Sequence, residues 1–458
     1  MNDPLLMRKI PVLLIAAFIP VVSLFAQTTA AFTAPDTVCV NAPVNIVNTS
    51  TGASSYYWNF CTGNLHQPPQ GLNFGNIGNV MDGPVYIDYV EQNGNYYAFV
   101  PDNHVKNLYR LDFGNSLLNT PTIVNLGNAG GVIPQTAEGI QVVKNEGRWY
   151  AIIVGGHLSG GIPSTIVKLD FGPDITNTNP DGTDWGNIGN LAYPHDLYVF
   201  EENGNWYGFT TNSDNNTITR FSFGASFNNT PTGTNLGNLG NMPGPTGIQA
   251  IHHNGNWHVF VTNANNSTIT RLDFGNSLLN TPAPVNLGSI GNTMRTCRDI
   301  HIIKFCGEIL GYVINADPNS PDIVKLDFHN DLTAVPTGVS FGNIGNLRFP
   351  HAISKIFRAG ADLYAFVPNV DNSSITRLRF AGCNNSSIPN FDGQTPPAIR
   401  YNQPGTYNIT LTVDEGLPTQ TTYCKPVVEV QMEPRPTDTL RVCSNDSIRI
   451  GSSYPHAG

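Results

Sequence analysis

The chain has 458 residues, of which only 12% are charged, with 45 glycines, 34 prolines and a formal net charge of −10. Length implies two or more domains, and the sparse charge with abundant turn formers excludes long helices and favours short strands. The acidity is spread out and no basic run occurs, which makes nucleic acid an unsuitable partner.

At the N-terminus Arg8 and Lys9 precede an apolar run from Ile10 to Phe25, broken by Pro11 and Pro20. That pattern predicts a secretory signal over residues 1–26, with cleavage after Ala26, and no membrane-spanning segment in the mature chain. The mature protein is expected to be secreted or held at the cell surface. Seven cysteines then enter an oxidising space where disulfides persist: Cys39, Cys61, Cys297, Cys306, Cys383, Cys424 and Cys443. None has zinc-ligand spacing.

A repeat dominates the middle of the chain. Asn-Gly-Asn before an aromatic recurs at Asn93–Tyr96, Asn203–Trp206 and Asn254–Trp257, with degenerate copies around Gly147, Gly307 and Gly360. The six glycines stand at 94, 147, 204, 255, 307 and 360, a period of about fifty residues that suits one four-stranded propeller blade. Each unit holds a first strand, a tight hairpin turn, a second strand, and a third with alternating apolar residues such as Thr268 to Phe274. Unit five ends in Phe341-Gly342-Asn343-Ile344-Gly345-Asn346, and unit six lacks that segment. Its counterpart, Phe74-Gly75-Asn76-Ile77-Gly78-Asn79, stands before unit one. The N-terminal strand is therefore expected to complete blade six and leave no open sheet edge.

The flanks make sense only when joined. Val38 to Ser50 and Tyr56-Tyr57-Trp58-Asn59-Phe60 on one side, and Pro397 to Tyr401, Pro404-Gly405-Thr406-Tyr407 with the strand through Val413, and Val427 to Val430 on the other, resemble the strands of a PKD domain. The resemblance covers about 80 residues and implies a β-sandwich that serves as a spacer or adhesion module, with no chemistry of its own. The blades loosely resemble NHL-type propellers, some of which are enzymes. Together they resemble secreted surface proteins of gliding Gram-negative bacteria, in which propellers and PKD domains alternate.

The expected architecture is all-β: a six-bladed propeller inserted into a PKD-type sandwich. Its boundaries are a signal at 1–26, sandwich halves at 27–69 and 384–431, the propeller at 70–383, and a linker with the start of a further domain at 432–458. Insertion at that turn suggests a Cys61–Cys383 bond at the neck, Cys39–Cys424 within the sandwich, and Cys297–Cys306 along the first strand of blade five, leaving Cys443 over.

Near-identical copies allow an internal comparison. The third-strand pairs Arg110/Asp112, Lys168/Asp170, Arg271/Asp273 and Lys325/Asp327 repeat, and so read as a scaffold ladder. Where the first strands begin, one ring of positions reads Val85, Glu138, His195, Thr246, Arg298, His351, and the next Tyr86, Gly139, Asp196, Gly247, Asp299, Ala352. Glu138, His195, Asp196, Arg298, Asp299 and His351 break the symmetry and are the candidate ligand-binding residues at the channel mouth. The Asn- and Asp-rich loops on that face suit hydrogen bonding to sugar hydroxyls, with Tyr86, Tyr193 or Trp185 as stacking surfaces. The favoured reading is a binding and adhesion module for a glycan or protein ligand, with no catalytic residues, cofactor or metal. The rival is a propeller enzyme of lyase or lactonase type, working with the channel-mouth His, Asp and Glu, with or without a metal ion.

Overall fold

The computed structural model describes residues 28–414 and 421–432. The expected signal at 1–26, the segment from 433 onward and Cys443 lie outside the described residues. The described chain is all-β, with three short 3₁₀ turns.

Six antiparallel four-stranded sheets follow one another. In five of them the four strands run in chain order. Blade two, for example, is Ala137–Asn145, Arg148–Gly155, Thr165–Gly172 and Asp181–Asp184. The sixth takes Phe357–Ala359, Asp362–Asn369 and Ser374–Phe380 from the C-terminal side and its outer strand, Gln70–Asn73, from the N-terminal side. Leu72 pairs with Arg377 and Asn73 with Thr376, so the strand read as missing from blade six is supplied from the other end of the insert.

Six apolar cores, one between each pair of neighbouring blades, close the ring. The last joins Phe366 and Ile375 of blade six to Ala98, Tyr109 and Leu111 of blade one. Two further devices repeat around it. A third-strand cation reaches a carbonyl in the next blade: Arg110 donates to Thr176, Lys168 to Phe227, Arg220 to Leu278, Arg271 to Leu332 and Arg377 to Leu117. Lys325 alone meets a side chain instead, His66 Nδ1 at 3.2 Å, because the segment before Gln70 replaces the usual turn there. The Gly-Asn-Ile-Gly-Asn turn is the second device, lying against the outer strand of the following blade. A Cβ on Gly345 would come within 3.1 Å of Gly71 Cα, and one on Gly130 within 2.6 Å of Gly182 Cα. The glycines recur because two backbones meet there.

The flanking segments form a second body. Thr37–Cys39, Thr421–Gln431, Gly405–Val413, Tyr56–Asn59 and Asn390–Asp392 make one five-stranded sheet, and Phe32–Thr33 pairs with Val47–Asn48. Trp58, Phe60, Tyr401, Ile409 and Leu411 fill its core. It meets the propeller at the hairpin ends of blades five and six, where Gly63 N–H donates to Ala361 and Asn59 to Gly360. Inner strands begin at the opposite end, so the channel mouth faces away from this sheet.

Cys61 and Cys383 are bonded at the neck, with Cα atoms 5.0 Å apart. The other two expected pairs are corrected. Cys306 bonds Cys424 and ties the blade-five hairpin to the sandwich, while Cys297 is a buried free thiol. Cys297 and Cys306 flank the nine-residue strand Cys297–Phe305, which spans about 27–30 Å at the rise of a strand, far beyond disulfide reach. Cys39 is bonded, but not to Cys424. It stands opposite Gln431, seven residues further along that strand than Cys424.

Candidate functional site

The inner strands enter the channel through a strained turn and a bulge. Two residues before five of the six mouth positions the backbone is left-handed: Thr136 (φ 52°), Tyr193 (50°), Gly244 (59°), Thr296 (44°) and Phe349 (45°). Such conformations cost a bulky or branched residue of order 1–3 kcal/mol and concentrate at functional sites. Pairing then skips a step between Ala137 and Ile140, Pro194 and Leu197, Pro245 and Ile248, and Cys297 and Asp299. A bulge re-aims a side chain. Here it turns Glu138, His195 and Arg298 out of their sheets' alternation.

Blades three and six lie across the channel from each other, and their histidines meet in the middle. The His195 and His351 rings stack with centroids 5.7 Å apart. Glu138 Oε2, from blade two, lies 3.6 Å from His195 Nδ1 and 3.8 Å from His351 Nδ1. All three residues are buried, at 0%, 2% and 4% exposure. None of these three atoms has a hydrogen-bond partner. The other carboxylate oxygen is held: Glu138 Oε1 accepts from Asn103 at 2.5 Å. Burial pushes the Glu138 carboxyl up to about 8, against the opposing pull of Arg298 and the neighbouring Tyr193. Burial and then Arg298 hold both imidazoles well below their usual range, so they are neutral at pH 7.

Three orphaned polar atoms in a closed space need a reason, since a buried polar atom without a partner costs about 1–3 kcal/mol. Separations of 3.6 and 3.8 Å are too long for hydrogen bonds. They are close to the separation, about 3.4 Å, of two ligands each 2.1 Å from a tetrahedral metal ion. All three atoms lie within 4.8 Å of one another. Two neutral imidazoles and a carboxylate are a common donor set for Zn²⁺, Mn²⁺ or Fe²⁺, with positions left open for other ligands. The expectation of no metal rested on histidines three blades apart, and the structure brings them together.

Aromatic and polar groups roof the cluster. Tyr193 packs on His195 at 4.3 Å and on His157 at 4.2 Å. Arg298 lies over the Phe349 ring at 5.1 Å. Phe349 escaped the sequence reading, although Tyr193-Pro194-His195 and Phe349-Pro350-His351 form a repeated aromatic-Pro-His signal.

Asp196 and Asp299 sit one step further in, where they line the channel cavity and brace neighbouring inner strands. Asp196 accepts from its own blade at Leu197 (2.7 Å) and from the next at Ile248 (2.8 Å). Asp299 does the same with Ile300 (2.7 Å) and Ile353 (2.8 Å). The intervening blades carry Gly139 and Gly247 because the neighbouring inner strand leaves no room. A Cβ on Gly139 would fall 2.5 Å from the His195 carbonyl oxygen. What read as broken symmetry is therefore a two-blade alternation. The two aspartates hydrogen-bond each other, and burial raises both carboxyls so that the pair retains a proton.

Beneath them the channel widens to a cavity of about 300 Å³, lined by Tyr86, Asp88, Gln249, His301, Ser354 and Lys355. Lys355 pairs with Asp88 at 3.0 Å. Burial, then the charge of Lys355, lowers His301 to about 3. The unfolded chain therefore takes up a proton near pH 6.5 that the folded chain refuses. This contribution to stability is complete above pH 6.5 and falls as pH drops toward 3. His301→Gln should lose less stability than the parent between pH 7 and pH 4, read as the shift in urea midpoint.

Part of the Asn- and Asp-rich loops is consumed by the fold itself. Asp102 is fully buried and caps the N–H groups of Asp82, Gly83, His104 and Val105. Asn212 and Asn263 are buried and bonded to Thr217 and Thr219, and to Thr268 and Thr270.

No family model and no curated protein sequence matches the chain. Among solved structures it is similar to a protein of Bacteroides thetaiotaomicron VPI-5482 assigned provisionally as a phosphatase. The identity is 11%, with 77% of this chain and 97% of that chain covered and a TM-score of 0.47. It is also similar to Penicillium chrysogenum α-L-arabinanase complexed with arabinobiose (9%, 68% and 98% covered, TM-score 0.46). A third is the catalytic domain of Coprinopsis cinerea GH62 α-L-arabinofuranosidase (14%, 55% and 92%, TM-score 0.40). These chains are described as enzymes and none as an adhesion module. The expectation of a non-enzymatic binding and adhesion module is corrected by these findings.

Proposed function

We propose that the chain is an exported enzyme of lyase or lactonase type, acting at the loop-face mouth of the propeller with one divalent metal ion held by Glu138, His195 and His351. The observation that carries this reading is the convergence of three buried, unpartnered ligand atoms from blades two, three and six. A metal ion bound there would polarise a substrate oxygen or lower the pKa of a bound water. Asn103 fixes one Glu138 oxygen and leaves the other for the ion, as outer partners do in metal sites. The adjacent Glu138 charge and burial hold the Tyr193 phenol protonated, so it is a hydrogen-bond donor beside the centre, suited to a leaving or carbonyl oxygen.

The flanking sheet, with Trp58 in its core and Gly405–Val413 as a central strand, supports the PKD-type reading as a mount for the propeller. Two disulfides support an oxidising, extracellular location.

Metal analysis of the purified chain after dialysis against Zn²⁺ or Mn²⁺ tests the proposal. One ion per chain is expected, and His195→Ala or His351→Ala should weaken binding by roughly a hundredfold or more. Turnover found in a screen of lactones and uronate polysaccharides should vanish with EDTA and return with the metal. Turnover indifferent to both EDTA and His195→Ala would refute the assignment.

A further inference from the structure

Several cations in this propeller are paired with carboxylates. Arg271 is paired with Asp273 (2.8 Å), Arg148 with Asp170 (2.9 Å), Arg379 with Asp362 (2.6 Å) and Lys355 with Asp88 (3.0 Å). Arg298, half-buried at the mouth, has no such partner. No hydrogen bond or ion pair joins its side chain to any described residue, and its Nε is buried without a partner. The adjacent Asp299 does not pair with it and instead accepts from the N–H groups of Ile300 and Ile353. The guanidinium lies over the ring of Phe349, 5.1 Å from its centroid, and Phe349 is held at φ 45°, two positions before His351. Blade five alone carries arginine in this ring of positions.

A strained aromatic platform beneath an unpaired arginine is an arrangement for a planar anion. The guanidinium fork matches carboxylate and phosphate oxygens in pairs, and it is less strongly hydrated than an ammonium. Its charge is already felt within the cluster, where it opposes the protonation of Glu138, His195 and His351. A divalent ion beside it would add to a positive charge that one Glu138 carboxylate does not neutralise.

We infer that the substrate carries an oxyanion, a carboxylate or a phosphate, which Arg298 receives beside the Glu138–His195–His351 cluster. The location rests on the metal-centre reading; the preference for an anion rests on Arg298 alone. Galacturonate and galactose share a sugar ring and differ in one carboxylate, so they isolate the effect, and inorganic phosphate distinguishes the alternative oxyanion.

Each probe is titrated by calorimetry into the full oxidised chain, metal-free and Zn²⁺-loaded. Galacturonate, phosphate or both should bind at least thirtyfold more tightly than galactose. Arg298→Gln should erase that difference while the chain still binds one Zn²⁺, and Arg298→Lys should restore part of it. Arg348→Gln, which removes an exposed arginine five residues before Ile353 on the same face, should leave it intact. Binding of neither galacturonate nor phosphate more tightly than galactose, an unchanged preference in Arg298→Gln, or no anion binding to either form at millimolar concentration would each overturn the inference. An Arg298-dependent preference in a chain that binds no Zn²⁺ would uphold it and refute the metal centre. Zn²⁺ binding without anion preference would do the reverse.

Discussion

Deleting residues 70–79 should abolish the cooperative unfolding transition of the propeller. Gln70–Asn73 supplies the outer strand of blade six, so its loss bares the third-strand edge from Thr376 to Arg379. The deletion also takes Phe74 and Ile77 from the core shared by blades six and one, together with the Gly78 turn that lies against Ile123. One deletion thus opens the ring at its seam, and an unpaired edge with an exposed apolar face invites aggregation. A milder version is Gly71→Leu. A Cβ at Gly71 would lie 2.5 Å from Gly345 N, and overpacking of that kind costs about 1–3 kcal/mol. Thermal unfolding followed by far-UV circular dichroism reads both. An unchanged melting temperature in the deletion would mean that the ring is not closed by this strand.

The second large effect is expected at the neck. The Cys61–Cys383 bond closes a loop of 322 residues, for which an ideal-chain estimate gives over about 5 kcal/mol, while measured values are commonly about 2–4 kcal/mol. The strand pairing of Gln70–Asn73 already brings the two ends of the insert together, so the bond acts chiefly on the unfolded chain. Cys61→Ser/Cys383→Ser should therefore keep its native spectrum while its denaturant midpoint falls by an amount equivalent to about 3 kcal/mol. Cys306–Cys424 still ties the two bodies in that variant. Non-reducing peptide mapping should recover Cys61 with Cys383, and recovery of Cys61 with Cys39 would contradict the fold's neck.

Much of this fold was legible because turn chemistry is local. The glycines at 94, 147, 204, 255, 307 and 360 mark hairpins whose positive φ follows from residue type alone, and they counted the blades. The displaced Gly-Asn-Ile-Gly-Asn segment located the closure strand for the same reason. The disulfides were harder, since pairing depends on where two bodies touch. That Cys306 reaches Cys424 follows from the hairpin end of blade five meeting the sandwich, which no spacing encodes.

In the site, the ring of Glu138, His195, Arg298 and His351 could be read by aligning the repeats. The next ring could not. Asp196 and Asp299 look like broken symmetry, yet they brace inner strands on a two-blade rhythm set by the glycines between them. The metal-like cluster was invisible for a different reason. It depends on channel width, which brings His195 and His351 to 5.7 Å although 156 positions separate their numbers.

The central claim is that Glu138, His195 and His351 hold one metal ion, and anomalous diffraction from crystals grown with Zn²⁺ tests it most directly. The account predicts a single strong peak at the zinc edge in the channel, about 2.0–2.2 Å from Glu138 Oε2, His195 Nδ1 and His351 Nδ1. The peak should be absent from crystals of His351→Ala grown the same way. A map without density between these three residues, in crystals that bind zinc elsewhere, would contradict it.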